Sequence, residues 1–187
     1  CALGEYFAAQ GKDVLIAFDD LSKHAWAYRQ LSLLLDRSPG REAYPGDIFY
    51  LHSQLLERAG KFIPELGGGT ITFLPLAATI QGDITGYIQT HLISITDGQL
   101  YLNTSLFQKG FRPAIDFGLS VSRIGNRAQC PAMKELSGKL RLEYLQYQEL
   151  LRMTTMKADL STEAESRLRR GELITQIFTQ LKAKPSS

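Results

Sequence analysis

The chain has 187 residues, of which 44% are hydrophobic and 21% are charged, and its formal net charge is +2. This composition is that of a globular protein and excludes a disordered one, and the small net charge argues against binding to nucleic acid or to an acidic membrane surface. No apolar run approaches the roughly 20 residues that a membrane-spanning helix requires.

A helix followed by a strand is predicted at the start of the sequence. Four apolar residues recur at helical spacing, and they are Ala2, Leu3, Tyr6 and Phe7. Gly11 is suited to end this helix in a left-handed conformation, and the apolar run 14–18 predicts a strand. A helix that leads directly into such a strand implies an earlier strand, so we expect the sequence to be the later part of a longer protein.

Two carboxylates, Asp19 and Asp20, directly follow the predicted strand. One interpretation is that they favour the N-terminus of the next helix, where the helix dipole is positive. The other is that Asp19 lies near a Mg²⁺ ion and holds it through water, because magnesium gives up its waters reluctantly and a carboxylate-tipped strand holds it in P-loop NTPases. The spacing alone leaves both interpretations open.

Helices and short strands alternate after Asp20. An amphipathic helix is indicated by apolar residues at steps of three and four, which are Leu21, Ala25, Tyr28, Leu31 and Leu35. A second helix is predicted over 48–59 with Asp47 as its N-cap, and strands are predicted over 70–76 and 99–102. This alternation predicts an α/β fold with a parallel sheet.

The segment 116–125 is predicted to be a strand that carries Arg123 near its end. Two serines, Ser120 and Ser122, alternate with apolar residues, so the strand would have one polar face. That face could bring hydroxyl groups and a guanidinium to an anionic ligand, since the planar guanidinium donates two parallel hydrogen bonds to phosphate oxygens. The alternative is that Arg123 is an ordinary surface cation.

Other candidate motifs are weaker. Proline biases the residue before it toward an extended conformation, so the pair Arg112-Pro113 is compatible with a strand-entry turn and equally with ligand contact. The histidines show no ligand or triad spacing and are interpreted as structural; they are His24, His52 and His91. The sequence contains no Gly-x-Ser-x-Gly motif and no Gly-x-x-x-x-Gly-Lys-Ser/Thr phosphate loop. Cys1 and Cys130 show no disulfide or zinc spacing, which favours a reducing compartment.

The apolar period changes near residue 130. One helical stripe contains Met133, Leu136, Leu140, Tyr144, Tyr147 and Leu151. A second helix is predicted to open at Thr162, with Glu165 in a capping box, and Gly171 is expected to weaken it by about 1 kcal/mol relative to alanine. Its predicted apolar face contains Ala164, Leu168, Leu173, Ile177 and Leu181. We therefore predict a domain over 1–129 and a helical domain over 130–187.

Five blocks of the sequence closely resemble the α subunit of the F-type ATP synthase. They are Asp-Asp-Leu-Ser-Lys-His-Ala at 19–25, Ile-Ser-Ile-Thr-Asp-Gly-Gln at 93–99, and the segments 28–35, 39–47 and 112–123. The likeness covers essentially the whole chain and is strongest over 11–150. The homologous catalytic β subunit is a weaker match, because it lacks the Asp-Asp-Leu-Ser-Lys-His helix start.

This resemblance implies a fold and an activity. The fold is the later half of a P-loop NTPase (RecA-like) domain with a parallel sheet, followed by an all-α C-terminal domain, and the phosphate loop would lie before Cys1. The implied subunit is regulatory and non-catalytic. It binds ATP or ADP with Mg²⁺ at its own site, and it contributes to ATP synthesis or hydrolysis at a neighbouring β subunit.

The resemblance also implies roles for individual residues. Catalytic roles are implied for Arg123, as an arginine finger, and for Ser120 and Ser94, near the interface between α and β. Arg112, Pro113 and Gln180 match positions that line the adenine pocket. Asp19 matches the carboxylate near Mg²⁺.

The partners implied by the resemblance are the β and γ subunits in an alternating ring and the δ and b stalk subunits. Neither nucleic acid nor direct insertion into the membrane is expected. The location implied is peripheral, at the cytoplasmic face of an energy-transducing membrane, where the chemistry is coupled to proton or sodium flow.

The sequence departs from the family pattern at two places. Within 152–161, where the family has Phe-Gly and an acidic loop that faces γ, only Asp159 and Leu160 align, and Lys182 stands in place of a second adenine-pocket glutamine. Two alternatives are a ring helicase of the Rho type, whose basic nucleic-acid channel the net charge of +2 does not favour, and a non-enzymatic assembly module. An ATPase assay with and without RNA would separate the synthase from the helicase.

Overall fold

The computed structural model describes residues 1–154 and 162–180, so Asp159, Leu160, Leu181 and Lys182 lie outside the described residues. The chain divides into two compact units, Cys1–Thr96 and Asp97–Ser187. The helices of the first unit are α1 (Ala2–Ala8), α2 (Leu21–Leu34), α3 (Ile48–Leu56) and α4 (Tyr87–Ile95). Its strands are β1 (Asp13–Phe18), β2 (Gly60–Lys61) and β3 (Thr70–Pro75).

A parallel pair of strands forms the centre of the sheet in the first unit. β1 and β3 pair along their whole lengths, with Phe18 opposite Pro75 at their carboxyl ends, and β2 adds to the other edge of β3 in antiparallel orientation. This pairing confirms the strands predicted at 14–18 and 70–76 and the parallel α/β class. Because the two strands run in the same direction, the chain leaves both of them at one edge of the sheet.

The hydrophobic core of the first unit is built largely by three helices and the turn before α3. Its buried members are Leu21, Ala25, Tyr44, Ile48, Leu56, Ile88 and Leu92. Phe18 and Phe73 from the sheet pack against this cluster, with their ring centroids 5.1 Å apart in an edge-to-face arrangement. The Leu21 amide donates to the Leu76 carbonyl at 2.9 Å, so the start of α2 is held beside the chain that leaves β3.

α1 packs on the sheet through small residues, not through its predicted apolar face. Gly4 and Ala8 are buried, and a side chain at Gly4 would come within 2.7 Å of Ile16 Cδ1, so the helix backbone approaches β1 closely. The larger side chains are exposed instead, and they are Leu3, Tyr6 and Phe7. The predicted face is therefore wrong, whereas Gly11 has the predicted positive φ, +79°.

α2 begins where it was predicted to begin, and its stripe is correct only near its start. Leu21 and Ala25 are buried and Tyr28 is half-buried. Leu31 and Leu35 are exposed, because the buried face in the last turns of the helix passes through Ser32 instead. The apolar spacing therefore identified the helix but not the whole of its buried face.

α3 also starts at the predicted residue but ends at Leu56, three residues before the predicted end. Asp47 is its N-cap residue and makes no side-chain capping bond. The Asp47 carboxylate accepts a hydrogen bond of 2.6 Å from the Tyr28 hydroxyl instead, which ties the turn before α3 to α2. The structure thus confirms Asp47 at the N-cap position of α3, although its side chain bonds to Tyr28 and not to the helix.

The second unit contains less strand structure among its described residues. Its elements are β4 (Gly98–Gln99), α5 (Thr104–Gln108), β5 (Val121–Ser122), α6 (Gly125–Ala128), α7 (Pro131–Thr154) and α8 (Thr162–Phe178). β4 and β5 pair in antiparallel orientation, and Leu102 forms only an isolated bridge to Ile115, so the strand predicted over 99–102 is mostly wrong. The strand predicted over 116–125 is reduced to β5, because a turn precedes it and α6 follows.

α7 and α8 pack against each other around two tyrosines and an isoleucine. The buried cluster is Tyr144, Tyr147 and Ile174, with Phe117, Leu140 and Leu168 packed against it. The start of the predicted α7 stripe is exposed at Met133 and Leu136, and on α8 Leu173 and Ile177 are exposed, so the predicted face of α8 is displaced toward Ile174.

Gly171 explains this displacement of the buried face. It is buried in α8, and a side chain there would lie 2.1 Å from Tyr147 Cγ, so only glycine lets the two helices approach this closely. The sequence of a parallel α/β region followed by helices agrees with the predicted fold class. The division at 129/130 stays a prediction. Among residues 1–154 and 162–180, no helix is long and apolar enough to cross a membrane.

Candidate functional site

A cavity of about 230 Å³ lies in the second unit, against the loop at 111–117 and the helices α7 and α8. Its walls are mostly aromatic and apolar, and they include Pro113, Phe117, Tyr144, Phe178 and Gln180. Two of the predicted adenine-pocket positions, Pro113 and Gln180, therefore meet in one cavity although they are far apart in the sequence.

The third predicted pocket position, Arg112, is joined to this cavity by its main chain. The main-chain amide of Gln180 donates to the Arg112 carbonyl at 2.7 Å. The Arg112 guanidinium points into its own loop, where Nη1 donates to the carbonyls of Phe107 and Phe111 at 2.7 and 2.8 Å and the group lies 3.6 Å from the Phe107 ring centroid. The side chain thus stabilises the loop that presents Pro113, and its contact with a ligand stays a prediction.

The size and lining of the cavity suit one flat ring system. Sites that enclose a whole small molecule usually have about 300–1,000 Å³, so a smaller cavity accommodates part of a larger ligand. The rings of Phe117 and Tyr144 provide aromatic walls, and their centroids are 5.2 Å apart. The side-chain amide of Gln180 can both donate and accept a hydrogen bond. Burial raises the pKa of the Tyr144 hydroxyl, so that hydroxyl stays neutral. These residues fit the purine part of a nucleotide.

Ser120 lies in a turn that is closed by Asp116. The Ser120 amide donates to the Asp116 carbonyl at 2.9 Å, and the Asp116 carboxylate accepts from the amides of Gly118 and Leu119 at 2.9 and 3.2 Å. Ser120 itself is buried, and its Oγ accepts a 2.9 Å hydrogen bond from the Tyr101 amide. Its hydroxyl therefore fixes the backbone at 101 against 120.

The predicted polar face of this segment is wrong. Leu119 and Val121 are exposed while Ser120 is buried, which is the reverse of a strand that presents its hydroxyls to solvent. Ser122 is exposed and its Oγ accepts from the Gly125 amide at 3.1 Å. An alternation of only a few residues does not determine which face is buried, and the Ser120 hydroxyl faces inward because it accepts from the partly buried amide of Tyr101.

Arg123 follows β5 directly and is exposed. Its amide donates to the Asp97 carbonyl at 2.8 Å, so its backbone is fixed beside the residue that precedes β4. The short segment 120–123 is thus anchored through its main chain at both ends, because the Ser120 amide bonds to Asp116 and the Arg123 amide bonds to Asp97.

Asp19 and Asp20 differ in what they do at the end of β1. The Asp20 carboxylate is 12% exposed and accepts from the Lys23 amide at 2.7 Å, so it caps α2, as one of the two interpretations predicted. The Asp19 side chain is 77% exposed, and its carboxylate lies 3.7 Å from the Lys23 ammonium. A surface pair of this kind contributes little to stability, so Asp19 is available for another role.

The remaining predicted site residue, Ser94, lies in α4 of the first unit. Its Oγ donates to the His91 carbonyl at 2.7 Å. His52, in α3, is wholly buried, and its Nε2 lies 3.1 Å from the Nδ1 of His24 in α2. Burial first, and then the electrostatic influence of the neighbouring His24 and His91, lowers the pKa of His52 to about 4, so His52 stays neutral near pH 7.

Sequence patterns missed two residues that organise the second unit, Asn103 and Arg141. Asn103 caps α5 through the Ser105 amide and donates to Asp116 at 3.2 Å, and Arg141 on α7 donates to two carbonyls of the turn before Arg123. The N-cap role of Asn103 was detectable from the Asn-Thr-Ser sequence that opens α5. The contact of Arg141 had no local signal, because its acceptors are main-chain atoms about twenty residues away.

No group of three His, Cys, Asp or Glu side chains suited to hold a metal occurs in residues 1–154 and 162–180. A protein carboxylate such as Asp19 fits Mg²⁺ in another way, because magnesium keeps several waters and is often bound by one or two carboxylates together with nucleotide phosphates.

Comparisons with known proteins assign both parts of the chain. Residues 1–122 match the model of the ATP synthase alpha/beta family, nucleotide-binding domain, and residues 129–187 match the model of the ATP synthase alpha/beta chain, C terminal domain. The ATP synthase subunits alpha of Clostridium kluyveri and Clostridium botulinum (strain Eklund 17B) are each 56% identical to this chain over 185 residues, which are 99% of this chain and 37% of theirs. That of Clostridium botulinum strain Hall is 55% identical over the same lengths. The chain thus spans a little over a third of the length of these curated relatives.

Proposed function

The chain belongs to the ATP synthase alpha/beta family, and from this premise we propose that it is part of a regulatory, non-catalytic α subunit that supplies Arg123 to the catalytic site of a neighbouring β subunit. The observation that carries the proposal is the presentation of Arg123, which is exposed while its backbone is fixed to Asp97. A side chain that must meet a ligand on another subunit needs both properties.

The guanidinium of Arg123 acts on the phosphoryl group in the partner's site. In the transition state of phosphoryl transfer, negative charge spreads over the oxygens of the transferred group, and a planar guanidinium stabilises that charge through two parallel hydrogen bonds. The same contact helps synthesis and hydrolysis alike, because both pass through one transition state. The contribution is mainly to turnover, since the contact is strongest in the transition state.

The chain's own nucleotide site uses the cavity beside Pro113 and Gln180. The adenine ring of ATP or ADP lies against the aromatic wall that Phe117 and Tyr144 form together, and the side-chain amide of Gln180 hydrogen-bonds to its edge. Arg112 keeps the loop in place through Phe107 and Phe111. Asp19 would hold Mg²⁺ through water, and the ion would neutralise part of the charge of the nucleotide phosphates.

Ser120 and Ser94 are positioning residues in this proposal. Ser120 fixes the strand end before Arg123 through the Tyr101 amide, and Ser94 bonds to the carbonyl of His91 within α4. The partners proposed are the β and γ subunits in an alternating ring and the δ and b stalk subunits, with ion flow through a separate membrane sector. The subunit would lie peripherally, at the cytoplasmic face of the membrane.

The test is a ring of full-length α, β and γ subunits reconstituted with Arg123→Ala, Arg123→Lys or the wild-type residue. We expect Arg123→Ala to lower the rate of steady-state ATP hydrolysis by about 10³–10⁵-fold, the usual contribution of an arginine finger. Arg123→Lys should rescue little, because an ammonium keeps the charge and loses the planar fork. Near-normal hydrolysis in Arg123→Ala would contradict the proposal.

Arg127→Ala is the matched control. Arg127 is also exposed and lies four residues further on, in α6. The substitution should leave hydrolysis within about twofold of the wild type, since surface changes usually cost little. An equal loss in Arg127→Ala and Arg123→Ala would indicate general damage to the segment.

A further inference from the structure

Arg141, in the middle of α7, contacts the backbone that leads to Arg123. Its Nη2 donates to the Phe117 carbonyl at 3.0 Å and to the Ser120 carbonyl at 3.1 Å. One guanidinium nitrogen thus joins the helix to both ends of the turn at 117–120. We propose that Arg141 is a positioning residue that sets where Arg123 reaches, an inference that rests on the function proposed for Arg123.

The turn does not need Arg141 for its own shape. Its conformation is already fixed by the Asp116 carboxylate, which accepts from the amides of Gly118 and Leu119, and by the bond from the Ser120 amide to the Asp116 carbonyl. What Arg141 adds is a connection between this turn and α7. Its role is therefore the location of the turn, not its local geometry.

A displacement of this turn would also move Arg123, because the backbone between them is short and rigid. Only Val121 and Ser122 lie between Ser120 and Arg123, and both are paired with β4. The opposite end of the turn is held by the Phe117 ring, which packs edge-to-face on Tyr144 of α7. Without Arg141, the ring contact with Tyr144 would be the remaining described link between this turn and α7. The turn and the strands paired beside it could then pivot about Phe117 relative to α7, and Arg123 would move with them.

The energetic consequence should be larger for catalysis than for folding. The bond to the Phe117 carbonyl is exposed and the bond to the Ser120 carbonyl is only partly buried, so water can replace much of the donor when Arg141 is removed, and the loss of stability is small. A reacting geometry is far more sensitive, since a displacement of about 1 Å can lower a rate by about 10²-fold.

The experiment compares Arg141→Ala, Arg141→Lys and the exposed neighbour Lys139→Ala in the same reconstituted ring, each with and without Arg123→Ala. We expect Arg141→Ala to lower kcat by about 10- to 100-fold with little change in KM, and Arg141→Lys to lose less, because lysine can still donate to one carbonyl. Lys139 pairs only with Glu135 on the helix surface among its described contacts, so Lys139→Ala should stay near the wild-type rate.

The double variant identifies the route of the effect. If Arg141 acts through Arg123, then Arg141→Ala should change the residual single-turnover rate of Arg123→Ala rings by less than about twofold, because residues that act as a unit are not additive. An equal fractional loss in both backgrounds would overturn the inference, and so would an unchanged kcat in Arg141→Ala or a change confined to KM. Near-normal turnover in Arg123→Ala alone would instead overturn the proposed function.

Discussion

In the first compact unit the candidate residue Asp19 is placed by regular structure, at the end of a strand in a parallel sheet whose core consists of helices. In the second unit the candidate residues are placed by individual hydrogen bonds between side chains and main chain. Ser120 bonds to the Tyr101 amide, Arg112 to two carbonyls of its own loop, and Arg141 to the turn before Arg123. Polar residues in the second unit therefore have structural partners even where a pattern suggests chemistry.

The largest stability effect expected concerns His52, in the core of the first unit. Its folded-state pKa is about 4 and its unfolded pKa is about 6.5, so the unfolded state binds the proton first. Stability should be constant above about pH 6.5 and should fall by up to about 3 kcal/mol as the pH falls toward 4. Chemical denaturation of a full-length subunit at a series of pH values measures this slope.

The control for this pH dependence is His52→Leu, which removes the titrating group from the core. The variant should have a flatter dependence of unfolding free energy on pH over the same range, whatever its absolute stability. An identical slope in the variant and the wild type would show that groups other than His52 cause the acid sensitivity of this unit.

Gly171 gives the sharpest test of packing in the second unit. Helix propensity alone predicts that Gly171→Ala stabilises α8 by about 1 kcal/mol, whereas the 2.1 Å approach of a new Cβ to Tyr147 predicts destabilisation by about 1–3 kcal/mol. Hydrogen exchange of the α8 amides in a full-length subunit should report faster opening in the variant.

Gly138→Ala, in α7, is the matched variant for the opposite sign. Beyond the helix's own backbone and the two adjacent residues, no atom of the described part of the chain lies within 4 Å of a Cβ built at Gly138, so this substitution should slow exchange in α7 and stabilise it by up to about 1 kcal/mol. Stabilisation by both substitutions would mean that α7 and α8 do not pack through Gly171.

Substitutions of the two carboxylates at the end of β1 should have different effects, on folding stability for Asp20 and on nucleotide binding for Asp19. Asp20→Ala should lower the stability of a full-length subunit by about 1 kcal/mol, and Asp20→Asn should not, because asparagine caps as well as aspartate does. Asp19→Ala should change stability by less than about 0.5 kcal/mol and should weaken the Mg²⁺ dependence of nucleotide binding at the subunit's own site. Thermal unfolding and a nucleotide titration with and without Mg²⁺ make the comparison, and an unchanged Mg²⁺ dependence in Asp19→Ala would exclude the metal role.

The sequence predicted the regular part of the fold better than its buried faces. The apolar run at 14–18 identified β1, because a short run of this kind favours a strand, although only alternate residues of β1 are half-buried. The stripes on α1 and α8 were misassigned, since periodicity identifies side chains that share a face but not which neighbour packs there. Gly4 and Gly171 determine those packing faces through the close approach of backbones, which a hydrophobic pattern does not register.

The candidate site was predictable only where resemblance supplied residues that spacing could not. Pro113 and Gln180 line one cavity, yet no local pattern connects positions so far apart. The polar alternation at Ser120 gave the wrong face, because the Ser120 hydroxyl turns inward to accept a hydrogen bond from the Tyr101 amide. Arg141 was missed for the same reason, since main-chain acceptors leave no trace in the sequence.

The central claim is that Arg123 completes a catalytic site on another subunit, and its most direct test is a transition-state mimic. Rings of full-length subunits would be loaded with MgADP and fluoroaluminate, and trapping at the β catalytic sites would be compared with the binding of MgADP alone. Transition-state analogues bind about 10²–10⁸-fold more tightly than substrates, and much of that gain should depend on Arg123. We expect Arg123→Ala and Arg123→Lys to abolish trapping while MgADP affinity changes by less than about tenfold. Undiminished trapping in Arg123→Ala would contradict the claim.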